Sequence, residues 1–178
     1  MEVGDGMLFP SSVVDGLVHQ LGGWKLEWAC KWIGNKCPEG TAVMTGPGNE
    51  ELEQHYDHII HTVPPFYHHY EDGDADDCLR SCYQKSLQLA STILGQGGDS
   101  SPSSSSTLRI ASPLLGAGCR GFPLNVTIDI AATEAIDWMT KSDSSDDSTE
   151  MTVAFGIPEP STANHLVDAL NTAFEKGR

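Results

Sequence analysis

Apolar residues follow two different periods along this chain. Where they recur every three to four positions the backbone is expected to coil, and where they alternate or run in β-branched blocks it is expected to extend. On that basis helices are predicted over 13–21 and 24–33, broken at Gly22-Gly23, and over 74–94, 124–139 and 162–176, with strands over 41–45, 58–63, 107–112 and 151–157. Trp24, Trp28 and Trp32 stand four residues apart and share one helix face, which predicts a buried stripe. Leu79, Cys82, Tyr83, Ser86 and Leu89 share a side of the 74–94 helix in the same way. Strands that alternate with helices predict an α/β fold, a three-layer α/β/α sandwich.

Two low-complexity stretches punctuate this pattern, a glycine- and serine-rich one at 95–106 and an acidic, serine-rich one at 141–150. Each falls just before a predicted strand, so both read as expanded solvent loops within a single domain over 1–178. A chain of 178 residues is long enough for one such core.

Charge and cysteine content narrow the partners. The formal net charge is −15 with only ten Lys and Arg, which argues against binding driven by nucleic-acid phosphates. No apolar run approaches the ~20 residues of a membrane-spanning helix. Five cysteines, an odd number without a secretory pattern, predict reduced thiols in an intracellular compartment, cytoplasmic or nuclear. Cys78 and Cys82 lie four apart with His68 and His69 upstream, but the spacing matches no standard zinc pattern; structural thiols are predicted, and neither metal nor cofactor.

The richest candidate chemistry lies at 108–123, a strand running into Gly116-Ala117-Gly118-Cys119-Arg120-Gly121-Phe122 and a helix opening near Pro123. Glycines let successive N–H groups point into one concavity, and the helix end adds its positive dipole, so a diphosphate is the natural guest. Arg120 either pairs with a phosphate or points to solvent; Phe122 either lies against a sugar ring or anchors the loop to the core. A second candidate is Asp15. With Ser12 it spells a capping box, and His19, one turn later on the same face, either orients its carboxylate or fills a core edge. His61 is expected to be an interior histidine.

Taken in order, these segments resemble the macro domain family. Val14-Asp15-Gly16-Leu17-Val18-His19 is similar to its first ligand loop, Cys37-Pro38-Glu39-Gly40-Thr41-Ala42 to its Cys-Pro-x-Gly-x-Ala, and Tyr56 to Tyr67 to its Tyr-x-x-Ile-His-x-Val-Gly-Pro-x-Tyr. Leu79-Arg80-Ser81-Cys82-Tyr83 resembles its Leu-x-x-Cys-Tyr helix, and 113–123 its phosphate-binding loop.

The resemblance implies a module that binds ADP-ribose, free or protein-linked, and that in some members hydrolyses the ADP-ribosyl linkage as a glycohydrolase or deacylase. Val14 then belongs to the first ligand loop, and Asp15 to the carboxylate that positions water at the distal ribose. Residues 116–122 hold the diphosphate, and Phe155 falls near the place where relatives stack an aromatic ring on adenine. The chain also departs from the family. Two strands and a helix that usually precede the first loop are missing, so Gly4-Asp5 cannot be given the adenine-reading role, and Phe9-Pro10-Ser11-Ser12-Val13 replaces the usual glycines. A mixed sheet without its first strands would expose an edge that a homodimer can cover. A reader without turnover, and a scaffold that has lost the nucleotide and serves protein interaction, are the alternatives.

Overall fold

The computed structural model describes residues 13–71, 73–94, 107–142 and 150–177. Helix α1, Val13–Trp32, contains one residue with non-helical dihedrals, Gly23 at φ 54° and ψ −152°. An unbroken helix would hold His19 and Cys30 about 16 Å apart along its axis. Their ligand atoms instead lie within 4.8 Å of each other, so the second half of α1 folds back beside the first. The Gly22 carbonyl freed at this corner accepts the Asn49 N–H at 2.8 Å.

The returning half of α1 turns Leu26 and Cys30 inward, at 0% and 2% exposure. Trp24, Trp28 and Trp32 are 63%, 56% and 82% exposed, which overturns the expectation of a buried tryptophan stripe. The periodicity picks out both faces of this segment, since positions 26 and 30 lie roughly opposite 24 and 28. It does not say which of the two meets the core.

Strand β1, Ala42–Thr45, pairs antiparallel with β2, Ile59–Thr62, in the register Val43 to His61. Pro64 and Pro65 follow β2, and having no N–H they cannot extend its ladder. Helix α2, Glu50–Glu53, and a 3-10 turn at Tyr67–His69 are too short for a periodic signal and were not predicted.

Helix α3, Asp74–Leu94, is the spine of the fold. Leu79, Cys82, Tyr83, Leu87 and Ala90 are buried along it, and it packs on β1, β2 and α4. Strand β3, Thr107–Pro113, helix α4, Leu124–Ser142, and strand β4, Glu150–Gly156, form a parallel β-α-β unit with Ser112 opposite Phe155. Helix α5, Pro160–Lys176, closes over α4 and buries Leu166.

The fold is the expected α/β sandwich. Both pairing senses of a mixed sheet are present, as two separate two-stranded ladders among the described residues. Along β3 and β4 the inward Leu108, Ile110, Val153 and Phe155 alternate with exposed Arg109, Ala111, Thr152 and Ala154, so one face of this pair is bare among the described residues. The predicted loops at 95–106 and 141–150 lie outside the described residues, apart from Lys141 and Ser142, which end α4, and Glu150, which opens β4.

Two substitutions on one helix separate its faces. Leu26→Ala is expected to cost about 2–5 kcal/mol of unfolding free energy, the usual range for emptying a core site. Trp28→Ala, two residues away, is expected to cost less than about 1 kcal/mol because its ring is largely hydrated. Urea unfolding of the two variants measures both, and equal losses would contradict the orientation of α1.

Candidate functional site

The loop from β3 to α4 starts at the carboxyl end of a parallel pair, where open α/β sheets place their ligands. Gly116 and Gly121 take left-handed dihedrals at φ 84° and 74°, whereas Gly118 does not. Gly116 also needs its missing side chain: a Cβ there would stand 3.1 Å from the Phe122 ring and 3.3 Å from Leu79. Phe122 is buried in the core cluster with Leu79 and Tyr83, and it packs against Tyr67 at a centroid distance of 5.0 Å. It therefore anchors the loop from below.

Several loop amides are used in shaping the turn. Leu115 N–H donates to the Tyr83 hydroxyl at 2.9 Å, Gly121 N–H to the Gly118 carbonyl and Phe122 N–H to the Gly116 carbonyl. Burial pushes the Tyr83 phenol well up, so it holds this place as a neutral hydroxyl. The amides of Gly118, Cys119 and Arg120 donate to no other group among the described residues. Ala117, Gly118 and Cys119 are exposed.

Arg120 lies over the Phe66 ring at 4.4 Å, and its carbonyl accepts the Tyr67 N–H at 2.9 Å. Its Nη1 is buried without a hydrogen-bond partner among the described residues. A buried guanidinium nitrogen left unpaired is costly, and an anion would satisfy it. Helix α4 begins directly after the loop with no carboxylate in its first turn, whereas α2 and α3 carry three each. Its positive end is thus left for a ligand.

A second group of side chains forms around α1. Asp15 is half-exposed in the first turn, with Oδ1 3.7 Å from Nε2 of the buried His19. His61 on β2 lies beside His19 at a ring distance of 6.0 Å and shares a 2.9 Å hydrogen bond with the Thr45 hydroxyl. Burial, with the His19 charge adding to it, draws His61 down to about 4, so it is neutral near physiological pH. Cys30 completes the group, its thiol pushed up first by burial and then by Asp15. Val14 is exposed beside Asp15, and the proposed cap Ser12 lies outside the described residues.

The two groups are joined by one stretch of chain. From His61 to Tyr67 is six residues, a reach of at most about 20 Å. Phe155 packs partly buried against the core cluster, on the strand pair that feeds the loop. Cys78 and Cys82 do not converge with His68 and His69; all five cysteines are free, and among the described residues those near enough to share a cation are His19, Cys30 and His61. Cys30 was not singled out in the sequence, because nothing in its spacing announces the corner at Gly23. An open groove between α4 and α5, lined by Leu124, Ile128, His165 and Asp168 among others, contains neither Asp15 nor the glycine loop.

The sequence pattern of the Macro domain family matches residues 5–131. A "Macro domain-containing protein" from Methanosarcina mazei is 34% identical over 130 residues, 73% of this chain and 60% of that protein. An O-acetyl-ADP-ribose deacetylase from Escherichia fergusonii is 32% identical over 131 residues, 72% and 64% of the two chains. Among solved structures, the Oceanobacillus iheyensis macrodomain with ADP superposes with a TM-score of 0.71 at 22% identity, covering 98% of this chain and 83% of the other. The Trypanosoma brucei macrodomain in complex with ADP-ribose gives 0.70 at 23% identity, covering 94% and 60%. The chain belongs to the Macro domain family. It spans between 60% and 66% of the length of the curated relatives it matches.

The loop's two kinds of glycine are separable. Gly116→Ala is expected to destabilise the protein by about 1–3 kcal/mol, from its positive φ and the close Phe122 and Leu79 contacts. Gly118→Ala, with open space around it and no positive φ, should stay within about 0.5 kcal/mol. Thermal unfolding compared with the parent protein decides this.

Proposed function

We propose that this chain binds ADP-ribose, free or attached to protein, with its diphosphate on the glycine loop. The observation that carries this reading is the combination, among the described residues, of unbonded amides at Gly118, Cys119 and Arg120 with the unpaired buried Nη1 of Arg120. Together they make a compact anion cradle on a molecule whose net charge is −15. Arg120 supplies charge-assisted bonds, and the α4 end supplies oriented dipoles. Phe155, on the adjoining strand, is the candidate for the adenine ring.

Turnover is the sharper part of the proposal. Asp15 stands at the open end of its cluster with His19 behind it, an arrangement that can hold a water against a bound ribose and accept its proton. His19 orients the carboxylate, and His61, drawn down to about 4 by its burial, stands neutral behind it. Five free cysteines fit an intracellular setting, cytoplasm or nucleus. The strand edges left unpaired in the two-stranded ladders among the described residues support a homodimer that covers one, which light scattering on the purified chain would register as twice the monomer mass.

Calorimetric titration with ADP-ribose is expected to give a saturable one-site isotherm, and Arg120→Ala to weaken it at least about tenfold, a loss of ~1.4 kcal/mol. Heats no larger than those of ribose phosphate or AMP would remove the diphosphate reading. Asp15→Asn should leave that isotherm within about threefold while lowering release of ADP-ribose from a mono-ADP-ribosylated protein at least ~100-fold. A parent protein that binds but never releases product would be a reader without turnover.

A further inference from the structure

The buried cluster behind Asp15 has a chemistry of its own. His19, Cys30 and His61 are 8%, 2% and 7% exposed, and each offers a donor atom within 4.8 Å of the other two. Cys30 Sγ is 4.0 Å from His61 Nε2, at the outer limit of a sulfur hydrogen bond. The one short bond in the group runs from His61 to Thr45, at 2.9 Å. Two imidazoles and one thiol are therefore buried side by side, with their donor atoms brought to one small volume.

We propose that His19, Cys30 and His61 form a binding site for a divalent cation of the zinc class. The donor set is right for such an ion, two imidazoles and one thiol, and it suits neither magnesium nor calcium, which take oxygen ligands. A tetrahedral zinc with bonds of about 2.3 Å to sulfur and about 2.0 Å to nitrogen sets neighbouring donors roughly 3.5 Å apart, so the cluster would have to close by little more than an ångström. Asp15 stands beside the cluster, its Oδ1 3.7 Å from His19 Nε2 and its side chain half-exposed, within reach as a further oxygen ligand or neighbour of a bound water. On binding, the Cys30 S–H bond breaks and the S–metal bond forms, the proton passing to solvent while both imidazoles bind as neutral ligands. His61 gives up its bond to Thr45 as its Nε2 turns to the ion. The cation would join both arms of α1 to β2 and fix the corner at Gly23.

This inference stands apart from the ADP-ribose reading, because its test needs no nucleotide. The purified full chain, stripped with a chelator and kept reduced, is titrated with cobalt(II). One equivalent is expected to produce the near-ultraviolet thiolate-to-cobalt band and the intense visible bands of a four-coordinate site, and zinc should bleach both. Cys30→Ser should abolish the thiolate band and His61→Gln should weaken cobalt binding at least tenfold, while Cys119→Ser and Cys78→Ser leave the spectrum unchanged. A parent protein without a thiolate band, or a band that survives Cys30→Ser in a folded variant, overturns the proposal. If both variants fail to fold, X-ray absorption of the zinc-loaded parent protein still decides: one sulfur among nitrogen and oxygen ligands supports the site, and two or more sulfurs or none refute it.

Discussion

Helix α3 holds the glycine loop from beneath, and the shape that leaves some of the loop's amides unbonded among the described residues depends on that hold. The Tyr83 hydroxyl takes the Leu115 N–H, Leu79 fills the space under Gly116, and the Phe122 ring closes the same pocket from the far end of the turn. A loop so rich in glycine would otherwise sample many shapes, at a cost in binding of roughly 1–2 kcal/mol for each residue that had to be ordered. Burying two hydrophobic anchors and one hydroxyl settles its shape before any ligand arrives. The amides left over are then the ones a ligand can use.

Electrostatics sharpen this selection. A protein with 25 acidic and ten basic side chains repels anions in general, so an anion site on it must be local. The first turn of α4 carries no carboxylate, and Arg120 stands over the Phe66 ring at 4.4 Å. Both features keep a small positive region clear within a negative surface.

Much of this was legible in the residues. The strand boundaries, the α3 spine and the break near Gly23 follow from periodicity and glycine placement, and its glycines mark the loop at 116–122. Three things were not. The tryptophan stripe was assigned to the core because hydrophobicity and spacing cannot say which of two apolar faces turns inward; Leu26 and Cys30 took that place. The grouping of Cys30 with His19 and His61 depends on a helix doubling back, a long-range event that leaves no local mark beyond a pair of glycines. The placing of Arg120 over Phe66 joins positions more than fifty apart in the chain, a contact that leaves no local mark.

The division of the sheet has a consequence for motion. Two short ladders that share no strand among the described residues can open independently, with α3 packed on the β1–β2 ladder and on α4. Backbone amides of α3 and α4 should then exchange with deuterium only when the whole molecule unfolds, while those of the four-residue β1–β2 ladder escape through smaller, more frequent openings. The wall of the molecule that carries His61 would thus breathe on its own clock, ahead of the wall that carries the glycine loop.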